Sequence, residues 1–428
     1  MSALLLFVGD LHLGRSPTAL GRFGLDPGEL GPARAWSRCV EAALREGVQA
    51  VLLAGDLVDE ARDRFEAFGH LEQGVERLLE AGVQVLGVAG NHDSLVLPRL
   101  ARRIRGFHLL GAGGRWELRR IEGDPPTQIL GWSMPAAHHR ESPLDAPGLE
   151  EALAARDPAV ACLGLLHADL DVPRSPYAPL SRAALAALPL DACFLGHVHK
   201  PDPLEGPRPL GYLGSLVGLD RDETGIHGPC LVRVEGPGRV QARRLRVATL
   251  RWEKSDLEVG AIPDDEDAVE TLHESMRALA RALSDEEPEI LGLSMRLVGG
   301  APARRRLGAF LEAEEAQALS FALGRGTCVI VSLEDGTRPA VDLIALARES
   351  SPPGRLALLI LGLDEPGEPD PAHDALLAVT RRASAAFESG RWRVDDLAAP
   401  LAPTETLLRR AAWRLLEALL DQRAPGGG

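Results

Sequence analysis

Five short clusters of carboxylates, imidazoles and one amide stand along the first half of this 428-residue chain. They are "GDLH" with Asp10 and His12, "GDLVD" with Asp56 and Asp59, "GNHD" with Asn91, His92 and Asp93, "LLHAD" with His167, and "GHVH" with His197 and His199. On an extended segment, residues i and i+2 point to the same side, so Asp10 and His12 can share one ion. His197 and His199 can do likewise or serve two adjacent ions. A carboxylate such as Asp56 has two oxygens and can bridge two cations. Mixed oxygen and imidazole donors without thiolate suit manganese, iron or zinc. Two such ions a few ångströms apart bind a phosphoryl oxygen and activate a water. The chain has no GxSxG nucleophile, no phosphate-binding GxxxxGKS/T loop and no GxGxxG opening a helix. Metal-assisted hydrolysis of a phosphoester is the chemistry these residues point to.

"GNHD" divides its labour between neighbours. Gly90 is read as the residue that lets the chain turn sharply off its strand. Asn91 offers a neutral amide oxygen to a metal. Neighbours on an extended turn point apart, so His92 projects towards the substrate and not at the same ion.

What positions the clusters is a repeated phrase. "LLLFV" leads into Asp10, "VQAVLLA" into Asp56, "VQVLGVA" into Asn91, "VACLGLL" into His167 and "ACFL" into His197. Continuous apolar runs of this length suit strands covered on both faces. Between them, Trp36, Cys39, Val40, Ala43 and Leu44 share one helical face, as do Phe68, Leu71, Val75, Leu78 and Leu79. Alternating strands and helices imply an α/β sandwich, and ligands in such sheets bind beyond the carboxyl ends of the strands. "GYLGSL", "CLVRVE" and "VQARRLRV" read as strands closing the same domain, placed at 1–254. A small α+β unit over 255–350 follows, with a helical stripe from Val269 to Leu283 and strands at "LGLSMRLV" and "TCVIVSL". Residues 351–428 hold the Pro-rich acidic linker "DEPGEPDPAHD", one more helix over about 405–421, and a disordered "APGGG" end.

Composition excludes several classes. No apolar run approaches the ~20 residues that span a bilayer. The start "MSALLLFVGD" reads as a core strand and not a signal peptide. These two readings place the protein in the cytoplasm, and five scattered cysteines without a CxxC pair argue against a disulfide framework and a zinc knuckle and read as buried reduced thiols. The net charge of −15 is uneven. Residues 1–254 hold 29 Lys and Arg against 32 Asp and Glu, leaving 18 against 30 beyond them. The acidic last part is unsuited to gripping a polyanion over its whole surface and suits a protein partner. The arginine runs at 102–105, 243–246 and 304–306 could meet phosphates, Arg304 to Arg306 best, but read first as solvated faces. His138 and His139 read as an exposed loop, and His70 and His108 as structural or surface residues.

The five clusters together are the signature of calcineurin-like metallophosphoesterases, and the resemblance covers roughly residues 3–235. "GDLHLG", "GNHDS", "PYAPLS", "LGHVHK", "YLGS" and "DETGIHGPCLVRVE" look like the SbcD-type DNA repair exonucleases, nuclease partners of an SMC-type ATPase. The resemblance implies a four-layer αββα sandwich with a small α+β capping domain and a C-terminal helical segment. It implies two divalent metal ions, manganese first. Asp10, His12, Asp56 and His199 would hold one; Asp56, Asn91, His167 and His197 would hold the other. His92 would stand by the phosphate and act on the leaving oxygen, with Asp93 behind it orienting His92 or its loop; these two form the catalytic pair. Asp59 is left outside the ligand set. "GDLHLG" departs from relatives with a serine before the aspartate and a tryptophan after it. The implied function is a DNA phosphodiesterase, the nuclease subunit of a repair complex. The alternatives are a general metallophosphoesterase acting on a small phosphoester or cyclic nucleotide, and a scaffold with a vestigial site. The implied partners are DNA, a SbcC-like ATPase of the SMC type gripped through the C-terminal helix, and a second copy of the chain, with no membrane. That helix carries Leu407, Leu408, Ala411, Ala412, Leu415, Leu416, Leu419 and Leu420 over more than half its circumference. Packing onto the protein's own cap is the alternative use of that stripe.

Overall fold

The computed structural model describes residues 2–59, 64–284, 288–364, 378–382, 385 and 404–423. The apolar runs form strands as their β-branched and leucine content favours. β1 (Ala3–Val8), β2 (Ala50–Leu53), β3 (Gln84–Gly87) and β4 (Phe107–Leu109) pair in parallel. β10 (Cys230–Gly236) and β11 (Arg239–Arg244) extend that sheet antiparallel, in the order β11-β10-β1-β2-β3-β4. A second sheet runs β5 (Trp116–Ile121), β6 (Thr127–Trp132), β7 (Ala161–His167), β8 (Ala192–Gly196) and β9 (Leu210–Tyr212). Only its β5–β6 pair is antiparallel.

Alternation along each strand builds the layers. Leu5, Phe7, Leu52, Leu86 and Val88 meet Ile129, Leu163, Leu165 and Phe194 of the second sheet in one buried cluster. Phe7 and Phe194 stack tilted with ring centres 4.3 Å apart. The opposite faces of the first sheet, at Leu6, Val8, Val51, Leu53 and Val85, pack on Trp36, Cys39 and Val40 and on Phe68, Leu71, Val75 and Leu78. Those residues belong to helices Pro32–Glu46 and Arg64–Glu80. The outer face of the second sheet, at Leu130, Trp132, Cys162, Leu166 and Leu195, packs on Leu149, Ala152 and Leu185 of helices Leu149–Ala154 and Arg182–Ala187. The result is a helix–sheet–sheet–helix sandwich, as expected. Helix Pro32–Glu46 starts on a proline and stops at Gly47, whose φ of 67° only glycine adopts without cost and whose N–H bonds the Ala43 carbonyl. All five cysteines are buried free thiols.

The chain divides into two compact units: 1–255 with 276–295 and 313–333, and 256–275 with 296–312 and 334–428. A four-stranded sheet, β12 (Leu250–Glu258), β13 (Ile290–Ala301), β14 (Ser320–Leu323) and β15 (Gly326–Pro339), has the order β12-β13-β15-β14. In β13, Leu291, Leu293, Met295 and Leu297 are buried, the alternation read in the sequence. In the second unit, helix Pro352–Asp364 packs Ile360 and Leu363 against Leu408, Ala412 and Leu416 of the last helix, Thr404–Arg423. The broad apolar stripe is therefore split: one row covers the protein's own helix, while Leu415 stays 53% exposed. Arg304 pairs with Glu417 and reaches Thr337 Oγ1 at 3.1 Å, and Arg306 holds Asp264 at 2.9 Å, so these two arginines neutralise local carboxylates. Most of the Pro-rich acidic segment and the Gly-rich end lie outside the described residues. Among the described residues, no helix is long and apolar enough to cross a membrane.

Candidate metal centre

Each cluster sits where its strand ends. Asp10 follows β1, Asp56 follows β2 and Asn91 follows β3; His167 ends β7, and His197 and His199 follow β8. Stacking the two sheets brings these ends together. The backbone does this differently from the extended i, i+2 geometry expected from sequence. Asp10, His12, Asp56 and His197 have φ of 41°, 45°, 51° and 104°. Left-handed backbone at a non-glycine residue costs ~1–3 kcal/mol and persists where surrounding structure enforces it, as at binding sites. His12 is held by its N–H to the Asp56 carbonyl at 2.8 Å. Gly90 also departs from expectation: glycine is needed there for space and not for a positive φ. A Cβ on it would fall on Asp56 Oδ1 and lie 2.7 Å from the Asp56 nitrogen.

The donors converge in two sets. His12 Nε2 lies 3.0 Å from His199 Nε2 and 3.8 Å from Asp56 Oδ2. Asn91 Oδ1 lies 2.9 Å from His167 Nε2 and 3.0 Å from His197 Nδ1, and Asp56 Oδ2 lies 3.4 Å from His167 Nε2. Asp10 joins both sets: Asp10, His12 and His199, and Asp10, Asp56 and His167, each bring ligand atoms within 4.8 Å of one another. Asp10, His12, Asp56 and His167 are at most 2% exposed.

Three of the four imidazoles have an acceptor at the far nitrogen. His167 Nδ1 donates to the Ala54 carbonyl at 2.9 Å. His197 Nε2 faces Asp169 Oδ1 at 3.2 Å, and His199 Nδ1 faces Glu223 Oε1 at 2.7 Å. With the proton placed outward, the inward nitrogens present lone pairs to carboxylate, amide and imidazole acceptors. Acceptors aimed at one another repel unless a cation or proton lies between them. Divalent cations fit the chemistry of this donor set of carboxylate oxygens, one amide oxygen and inward imidazole nitrogens.

Electrostatics agree with that charge demand. Burial pushes the His12 pKa down to about 3, and burial with the nearby His167 pushes His197 down to about 4, leaving both neutral as metal ligands must be. His167 goes the other way: burial disfavours its charge, but Asp56 and Asp10 outweigh that and hold it up at about 9. Burial raises Asp10 to about 6. Asp56 is driven up by burial yet held below the usual carboxylate range by His167 and His12. Without a cation, the proton that His167 holds offsets the carboxylate charge, and a metal bound there would take its place.

The last two residues of "GNHD" have surroundings of their own. The His92 side chain is 42% exposed, and its Nδ1 lies 3.6 Å from Asp59 Oδ1. Its N–H donates to Asp56 Oδ1 at 2.8 Å, and its ring lies 5.1 Å from that of His12. Asp93 is fully buried, accepting from Leu57 N at 2.7 Å and Gly90 N at 2.8 Å. It clamps the loop after β2 to the loop after β3. The carboxylate beside the His92 ring is therefore Asp59, which also groups with His12 and His92 within 4.8 Å. Asp59, Asp169 and Glu223 were missed as site residues. Asp59 and Asp169 stand in the quoted clusters, three residues after Asp56 and two after His167; Glu223 had only the "DETG" motif to mark it. His108 pairs with Glu117 at 2.8 Å and His70 with Glu66 at 3.9 Å, away from the centre. His139 lies 5.5 Å from Trp132, ring to ring, while His138 reaches Tyr177 at 5.6 Å, on the border of the site.

Residues 3–201 match the family model described as calcineurin-like phosphoesterase. An uncharacterised metallophosphoesterase of Bacillus subtilis, YhaO, is 31% identical over 238 residues, 51% of this chain and 53% of that protein. The DNA double-strand break repair protein Mre11 of Aeropyrum pernix is 35% identical over 89 residues, 21% of this chain and 20% of that one. The chain thus aligns over about half the length of the first and a fifth of the second. A solved dimetal phosphatase from Danio rerio is 15% identical with a TM-score of 0.35, covering 56% of this chain and 98% of that one.

Proposed function

We propose that this chain, in which residues 3–201 form a calcineurin-like phosphoesterase domain, is a two-metal phosphodiesterase that hydrolyses DNA. The observation carrying the metal chemistry is the convergence of His12, Asn91, His167, His197 and His199 on Asp10 and Asp56, with inward lone pairs. Bound cations there would polarise a phosphoryl oxygen and activate a water. The chain's own part is to fix that geometry and to hold His92 at the mouth beside a leaving oxygen. The sequence motifs of the SbcD type and the 89-residue likeness to Mre11 support DNA as substrate. Five buried thiols agree with work in the cytoplasm.

Manganese is the expected native metal. Imidazole-rich sites favour transition metals over magnesium, which prefers oxygen and keeps its waters. Metal-stripped protein should nick plasmid and digest single-stranded DNA with manganese and be weak or inactive with magnesium alone. Equal hydrolysis with magnesium would refute the metal assignment. Turnover of a small phosphodiester with no cleavage of DNA would favour the general phosphoesterase.

The proposed protein partner is an SMC-type ATPase, met by the outer row of the last helix. The exposed Leu415, and Leu358 at 57% on the helix packed beside it, support this use. Leu415→Asp should weaken co-purification with such an ATPase at least tenfold while manganese-dependent cleavage is retained. Unchanged co-purification would remove the docking role.

A further inference from the structure

We infer that Tyr177 and His138 form a stacking ledge for a nucleobase of the substrate strand, beside the metal centre. The inference rests on the DNA reading above and narrows its substrate to strands with an unpaired or frayed base near the scissile phosphate.

Aromatic residues are scarce in this chain, 4% overall with two tyrosines. One of them, Tyr212, is 8% exposed, and its hydroxyl accepts the Leu170 N–H at 2.6 Å. Tyr177 is half-buried and sits against the centre, its ring 4.9 Å from that of His197. His138 lies on Tyr177 at 5.6 Å with 26° between the planes, and is itself exposed. His167 stands 5.2 Å from His197. A run of rings therefore leads from a buried candidate ligand out towards solvent.

The ledge is built and not a loose turn. His139 N donates to the Pro176 carbonyl at 2.7 Å, and Ala178 N to the His139 carbonyl at 2.6 Å, stapling the two loops around Tyr177. Asp169 N donates to the Tyr177 carbonyl at 2.9 Å, and Tyr177 N to Ser175 Oγ at 3.0 Å. Ser175 Oγ donates in turn to Asp169 Oδ2, whose other oxygen faces His197 Nε2 at 3.2 Å. One carboxylate thus orients both His197 and the segment that carries Tyr177. A scissile phosphate at the metals places its flanking base within reach of these rings. Every base has a π-face, so stacking there tolerates any sequence. A base inside a duplex has both faces covered by its neighbours, so the ledge takes one that has left the stack. The exposed Arg140 and Arg174 on the same two loops supply charge for the flanking phosphates.

The test uses the full-length protein with single-stranded oligonucleotides that each carry one 2-aminopurine, in calcium to hold them uncleaved. Wild type and Tyr177→Phe should quench one position strongly. Tyr177→Ala should lose most of that quenching and bind about tenfold more weakly, the scale of base–aromatic stacking, with its metal content unchanged. In manganese, an abasic nucleotide at that position should slow wild-type cleavage about tenfold, while Tyr177→Ala should cleave both substrates alike. Wild-type quenching in Tyr177→Ala, or equal wild-type cleavage of normal and abasic strands, overturns the ledge. If Tyr177→Ala does not fold, His138→Ala is carried through the same two measurements, and the same results support or overturn the ledge. Cleavage without base dependence removes the ledge alone; no binding or cleavage of any oligonucleotide by wild type removes the DNA reading with it.

Discussion

Asp56→Ala should empty both halves of the centre at once and lower cleavage about a thousandfold or more, the scale of several kcal/mol of lost charge stabilisation. Asp56 is a carboxylate within reach of both donor sets, 3.8 Å from His12 Nε2 and 3.4 Å from His167 Nε2. Its removal leaves Asp10 as the one carboxylate still grouped with His12, His167 and His199. Single-ligand variants differ in kind: Asn91→Ala should lower occupancy on the His167–His197 side alone, with activity falling alongside. The measurements are metal content by mass spectrometry and cleavage in manganese, with circular dichroism to establish that each variant folds. Retention of two metals by Asp56→Ala would show that it does not bridge them.

His92→Ala should keep both metals, still bind DNA, and cleave about 10²–10⁴-fold more slowly, the usual worth of a positioned acid or base. The ring is 42% exposed where the imidazoles of the candidate ligands are at most 22% exposed, and its neighbour is the Asp59 carboxylate at 3.6 Å. That pairing gives Asp59→Asn a smaller expected effect in the same direction, since it leaves the ring in place but removes the carboxylate that faces its Nδ1. Single-turnover cleavage beside metal content separates the roles. Loss of a metal from His92→Ala, or near-normal cleavage, would contradict the division of labour within "GNHD".

The apolar runs and the polar clusters behind them were legible in the sequence because strand burial is written locally. Leu5, Phe7, Leu52, Leu163 and Phe194 are all fully buried, and each lies in a run recognisable within a few residues. Residue types alone placed Asp10, His12, Asp56, Asn91, His167, His197 and His199 at strand ends, since ligand chemistry needs those groups and α/β sheets gather them there. Less legible was the way the backbone delivers them. The left-handed φ of Asp10, His12, Asp56 and His197 is enforced by contacts such as His12 N to the Asp56 carbonyl, between residues 44 positions apart. No local pattern encodes such a contact. Gly90 reads as a turn residue, but the space it must leave belongs to Asp56, in the loop after another strand.

The inventory follows from the order of residues: an α/β sandwich, the donors, their mixed oxygen and imidazole character, and hence the class of chemistry. What each donor faces is set only by the packed fold. Packing put Asp169 behind His197 and Glu223 behind His199, and so set which nitrogen of each ring points inward. It spent Asp93 on two backbone amides and left Asp59 beside His92. It turned one row of the last helix onto Ile360 and Leu363 and left Leu415 outside. One physical cause underlies all of these. Composition and periodicity report how apolar a position must be, which is a property of one residue and its near neighbours. The direction of a hydrogen bond or the sharing of a carboxylate is a property of pairs, fixed only when distant segments are packed against each other.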